Sequence, residues 1–122
     1  MEISSKEKFI IEESYPYLEA FLLEDDSFYP FAMILTNKMI ARPIDPDIQE
    51  EFPSSEYLID LLEYQIRQRL YEEQYILGVI CIDLLFDSNQ NGVEFRLISS
   101  SSEKKLYLKY TIEDNKVQWM KP

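Results

Sequence analysis

Between Ser54 and Phe86 the spacing of apolar residues changes from helical to alternating at Gly78, and that switch restricts the chain more than any other feature. From Pro53-Ser54-Ser55-Glu56 onward there are hydroxyls to cap a helix and an acid for its first turn, and no Gly or Pro follows until Gly78. The pattern predicts a long helix over Ser54 to Tyr75. Stepping 100° per residue puts Leu58, Ile59, Leu62, Ile66 and Leu70 on one aliphatic face, with Leu61 at its margin. Tyr57, Tyr64 and Tyr71 recur every seven residues, with Tyr75 near them, and point roughly the other way. Such phenols bury ring area while leaving a hydroxyl for a polar neighbour, so this second face takes either the protein's own loops or a partner.

After Gly78 the period becomes two. Ile80, Ile82, Leu84 and Phe86 share one side of a strand, and Val79, Cys81, Asp83 and Leu85 share the other. Both sides are largely apolar, as in a strand covered twice, by a helix on one face and by a second helix or another subunit on the other. Asp83 is the exception. An acid in such a strand must be hydrogen-bonded, neutralised or aimed into a polar opening, which makes it a structural tie or, as the sole candidate, a catalytic acid of raised pKa.

Upstream, Ser4 to Asp26 reads as helical, ending in Glu24-Asp25-Asp26, where acids oppose the helix dipole. Pro16 interrupts it, so either the helix kinks there or Ser14 caps a second helix beginning near Tyr15. Ser27 to Thr36 and Met39 to Ile44 make a hairpin across Asn37-Lys38, its first strand starting after Pro30 or lying at an edge. Aromatics Phe28, Tyr29 and Phe31 line either plain core or a ligand pocket against the first helix.

Downstream, Asp87 to Gly92 turns into a half-exposed strand carrying Val93, Phe95 and Leu97, and Ser99 to Lys104 turns into another carrying Leu106, Leu108, Tyr110 and Ile112. Their outer face is set for cross-strand pairs such as Glu94 with Lys105 or Lys109. Beyond Glu113-Asp114-Asn115, Val117 to Met120 suits a short terminal strand. The expected fold is α+β over one domain, residues 1–122, in the order α-β-β-α-β-β-β, with helices packed on an antiparallel sheet of about five strands.

That order of elements resembles the roadblock-type dynein light chains and, more loosely, profilin-like folds. The likeness covers most of the chain, although a clear third helix is missing at its end. In roadblock-like proteins the equivalent long helix contributes to dimerisation, so the resemblance implies a dimer through the tyrosine-bearing helix. The segments Phe28-Tyr29-Pro30-Phe31-Ala32 and Pro53 to Leu62 are also similar to small bacterial proteins without assigned function, which implies no activity.

Chemistry is limited by which residue types are missing. The chain has no histidine, one cysteine and two glycines. Imidazole triads, thiolate zinc sites, dithiol redox centres and glycine-rich phosphate loops are therefore outside its means. Asp45, Asp47, Glu50 and Glu51 follow no calcium-loop pattern and read as a solvated loop, so neither metal nor cofactor is expected. Cys81 reads as a buried reduced thiol of a cytoplasmic protein. The charged start, Met1 to Lys8, lacks the features of a signal peptide, and Ile76 to Ile82 is far too short to span a bilayer.

The net charge is −11, and it is uneven: residues 93–122 hold six Lys/Arg against four acids, while residues 1–92 hold six against nineteen. That field repels nucleic acid and anionic membranes and favours cationic partners. The reading that follows is a non-catalytic, acidic protein-interaction module, homodimeric through the long helix or a sheet edge. Two alternatives stand beside it. One is a toxin-neutralising immunity protein that covers a basic effector; the other is a small-molecule sensor or weak hydrolase that uses Asp83 or the Asp45 to Glu51 loop.

Overall fold

The computed structural model describes residues 2–86 and 89–120. Helix α1 spans Ser5–Asp25 and is opened by a reciprocal cap, in which Glu7 N–H donates to Ser4 Oγ at 3.1 Å and Ser4 N–H donates to Glu7 Oε1 at 2.7 Å. It runs on through Pro16. Ser14 does not cap a second helix: its buried hydroxyl donates back to the Ile11 carbonyl at 2.5 Å. Pro16 and Glu12, whose carbonyl loses its helical donor, both lie on the exposed side, where water can replace the missing bond. Asp26 closes the helix with φ of 61°, a conformation that Asp tolerates, and its N–H donates to the Leu22 carbonyl.

The hairpin is shorter than its sequence suggests. Strand β1 is Phe31–Thr36, starting directly after Pro30, and β2 is only Ala41–Pro43. Thr36 Oγ1 accepts from the N–H groups of Lys38 and Ile40, and Met39 sits at φ 61°, so the turn takes up residues that would otherwise extend β2. Helix α2, Ser55–Leu70, is capped by Ser54, whose side chain accepts from Tyr57 N–H. It stops at Leu70, short of Tyr75. Glu72 and Glu73 would crowd acids at the negative end of a longer helix. The chain instead turns so that Gln74 accepts from Asn37 N–H at 2.8 Å and Tyr75 pairs with Thr36 as the first residue of β3.

Strands β3 (Tyr75–Leu85), β4 (Asn91–Ile98), β5 (Glu103–Glu113) and β6 (Lys116–Trp119) complete an α+β fold. The sheet has six strands rather than about five, ordered β2-β1-β3-β4-β5-β6, and every neighbouring pair is antiparallel. The two helices lie on opposite faces. From α1, Ile10, Ile11, Leu18 and Leu22 pack on Met33, Val79, Cys81, Phe95, Leu97 and Leu108; from α2, Leu62 and Ile66 pack on Ile34, Ile80, Ile82 and Ile98. The doubly apolar β3 is thus explained by a second helix, and each buried aliphatic side chain contributes roughly 1.5–3 kcal/mol. Among the described residues no helix is long and apolar enough to cross a membrane.

One expected contact is replaced. Glu94 does not pair with Lys105 or Lys109, because the register sets it opposite Tyr107, with Arg96 opposite Lys105 and Gly92 opposite Lys109. Glu94 is also only 7% exposed, so β4 is more covered than a half-exposed strand, and its carboxylate accepts from Arg96 two residues along the same strand. Lys109 stands over the Phe86 ring, 5.7 Å from its centre.

Candidate partner-binding surface

The four tyrosines singled out in the sequence occupy three environments. Tyr57 is half-buried and its hydroxyl accepts from Gln49 N–H at 3.0 Å. One turn from the middle of the same flank, Gln65 accepts from Asp47 N–H and donates to the Asp45 carbonyl, so residues 45–49 are clasped along this side of α2. Tyr64 and Tyr71 are 62% and 84% exposed on the outer side of the helix, beside the exposed Glu56 and Asp60. Tyr75 belongs to β3, packs against the α2-side core and leaves the outer face altogether. The structure therefore brings Tyr64 and Tyr71 onto one face, lends Tyr57 to a loop and assigns Tyr75 to the sheet.

On the other flank Arg67 reaches both Glu63 at 3.4 Å and Glu103 at 3.1 Å, fastening α2 to the start of β5. The helix is held from both sides, so the orientation of its outer residues follows from contacts rather than from helix geometry alone.

Asp83 acts as a tie. Its carboxylate accepts from Tyr110 Oη at 3.4 Å, joining β3 to β5, and the backbone N–H groups of Phe28 and Leu84 also favour its charged form. Burial pushes its pKa up and these hydrogen bonds pull it back in part, leaving it above the usual aspartate value; burial and the neighbouring carboxylate raise Tyr110 as well. Cys81 is fully buried and burial pushes its thiol up to about 12, against a lowering hydrogen bond with Ser14. A thiol of that pKa is a poor nucleophile at neutral pH.

The aromatic segment after α1 does frame an opening. Phe21, Phe28, Tyr29, Phe31, Asp25 and Ser55 line a cleft of about 680 Å³, which neither Asp83 nor the 45–51 loop reaches. Phe31 stacks on Tyr17 and meets Phe21 edge-on, so it serves the core and the cleft wall together. The acids Asp45, Asp47, Glu50 and Glu51 are exposed, and among the described residues no group of three or more acids or cysteines is placed to hold a metal ion.

Sequence reasoning missed the exposed Phe52, which lies outside any periodic face, and placed Leu85 on a covered side of β3 where the structure leaves it 67% exposed at the strand's end. It also missed that β4 and β5 leave a basic surface next to α2; the alternation of Lys105, Tyr107 and Lys109 carried that signal. Comparison of the chain with protein-family models, with curated proteins and with solved structures finds no match.

Proposed function

We propose that this chain is a non-catalytic, acidic protein-interaction module of the cytoplasm that associates with a second copy of itself through α2. The observation that carries the reading is the exposure of Tyr64 on α2 and of Tyr71 just past its end, on a helix that buries Leu58, Leu62 and Ile66 on its other side and is pinned along both flanks. Ordered, solvent-facing phenols supply large contact area with little rotamer entropy to lose, which is why tyrosine is over-represented among residues that dominate interfaces. Asp83 fits the same reading as a structural element, since its carboxylate already accepts from Tyr110.

Sedimentation velocity at micromolar concentration tests this. A dimer is expected, and Tyr64→Ala should raise its dissociation constant about ten-fold or more, the usual cost of truncating a central aromatic. A monomer indifferent to Tyr64→Ala overturns the reading.

A second reading, the toxin-neutralising immunity protein, is favoured by the acids Asp45, Asp47, Glu50, Glu51, Glu56 and Asp60, all exposed on or beside α2. It expects capture of a strongly basic protein whose association slows steeply as ionic strength rises. Binding that ignores salt counts against it.

A further inference from the structure

α2 covers only half of the sheet face on which it lies. Its buried residues meet β1 and β3 through Ile34 and Ile80 and reach β4 only at Ile98. Farther along, the same face of β4 and β5 carries Arg96, Lys105, Tyr107 and Lys109; Lys105 and Lys109 are exposed and Tyr107 is 45% exposed. A helix is about 10 Å across, so this side of the molecule is a step, with α2 as the ridge and β4–β5 as the floor of a recess.

Ridge and recess carry opposite charge. Glu63 is engaged by Arg67, and Arg96 by Glu94. That leaves Glu56 and Asp60 on the ridge and Lys105 and Lys109 in the recess without an ion-pair partner among the described residues.

Their heights along the strands correspond too. α2 runs antiparallel to β3, with Ser55 near Phe31 at one end, Tyr71 near Ser99 at the other and Ile66 against Gly78 between. Gly78 is level with Glu103, Ile80 with Lys105, Ile82 with Tyr107 and Leu84 with Lys109. At about 1.5 Å per helical residue and about 3.3 Å per strand residue, Asp60 and Glu56 lie about 9 and 15 Å above Ile66. On the same scale Lys105, Tyr107 and Lys109 lie at about 7, 13 and 20 Å. Asp60 thus falls between Lys105 and Tyr107, and Glu56 between Tyr107 and Lys109, within the reach of a lysine side chain.

The geometry points to a second copy of this chain as the occupant of the recess. A two-fold axis running along the strands, in the layer of α2, sets each ridge into the other copy's recess and keeps every residue at its own height. Glu56 and Asp60 of each chain then face Lys109 and Lys105 of the other, with Tyr107 between the two lysines and Tyr64, about 3 Å above Ile66, just beyond Lys105, in a self-complementary contact. This rests on the self-association proposed above and specifies the surface that receives α2. The net charge of −11 opposes approach at long range. At physiological ionic strength, however, the Debye length is about 8 Å, and the acids of α1 lie beyond the sheet, so the facing charges outweigh them.

Sedimentation equilibrium of the full chain, with paired charge swaps, tests the arrangement. Lys105→Glu with Lys109→Glu, and separately Glu56→Lys with Asp60→Lys, should each raise the dissociation constant about ten-fold or more, since each juxtaposes like charges. An equimolar mixture of the two variants should associate to within about three-fold of the wild type, because every ridge then meets a recess of opposite sign. If a swap shifts the thermal melt, Lys105→Gln with Lys109→Gln replaces it and should weaken association about three-fold. A wild-type dimer indifferent to the swaps, or a folded mixture that stays monomeric, overturns this surface and leaves self-association standing. A wild-type monomer at every concentration overturns both.

Discussion

Replacing Gly78 with alanine tests how closely α2 is pressed onto the sheet. No glycine in the described chain has positive φ, so Gly78 is needed for space and not for conformation. A methyl built there would stand 2.5 Å from Ile66 Cγ2 and 2.9 Å from both Cγ1 and Cδ1, well inside the 3.5–4.0 Å or so at which carbon atoms pack. Ile66 cannot swing away. It is fully buried, and β-branched side chains in helices hold one χ1 rotamer in about 90% of cases. The helix must therefore lift, at the 1–3 kcal/mol or so that overpacking costs. Alanine returns about 0.5–1 kcal/mol through the backbone entropy of the unfolded chain, so Gly78→Ala should lose roughly 1–2 kcal/mol. Ile66→Ala removes all three clashing atoms and alone should cost about 2–5 kcal/mol. In that background the Gly78 methyl enters the vacated space, and its cost should fall to zero or become a small gain. Urea denaturation of the four proteins, followed by circular dichroism, gives the coupling, expected at about 1 kcal/mol or more. Equal costs for Gly78→Ala in both backgrounds would refute the packing argument, and with it the height assigned to the ridge.

Three further outcomes follow from local chemistry. Because the folded pKa of Asp83 is raised above its ordinary 3.8, the stability linked to its proton is complete below that value and is lost as pH rises through the folded pKa. Asp83→Asn keeps an acceptor and cannot ionise, so it should gain on the wild type as pH rises from about 4 to about 7; urea midpoints that differ by a constant would contradict this. Ser4→Ala removes the N-terminal cap of α1 and should cost about 1 kcal/mol, or a drop of about 3–6 °C in Tm. Glu7 adds a pH signature: burial raises its carboxyl, but hydrogen bonds from Ser4 and Lys104 outweigh that, so its contribution is present above its ordinary 4.5 and lost as pH falls through the lowered value. Cys81, finally, should label with thiol reagents only as fast as the protein opens, accelerating with urea; stoichiometric labelling of the native protein within minutes would show the thiol to be accessible.

Much of the architecture is legible in local spacing. Leu58, Leu62 and Ile66 mark the buried side of α2, and the alternation through Val79 to Ile82 marks β3 as covered on both faces, because both patterns depend on neighbours within four residues. The end of α2 is not legible in this way. Tyr71 to Gln74 contain no Gly or Pro, and the acids Glu72 and Glu73 only weakly oppose a longer helix; the pairing of Tyr75 with Thr36, far away in sequence, ends it. The tyrosines make the same point: Tyr57 and Tyr64 are equivalent by spacing, yet Tyr57 is taken up by a loop that Gln65 folds back onto the helix.

Local spacing is enough for the α+β class, the apolar side of α2 and, through short turns such as Asn37-Lys38 and Glu113 to Asn115, the antiparallel hairpins. The packed fold settles that β1 lies beside β3, that the helices take opposite faces, that Glu94 faces Tyr107 rather than a lysine, and that α2 leaves Lys105, Tyr107 and Lys109 of β5 exposed on its sheet face. The difference is physical. Periodicity is written by hydrogen bonds between near neighbours, whereas register and layering are settled by which distant apolar surfaces exclude water from one another most completely.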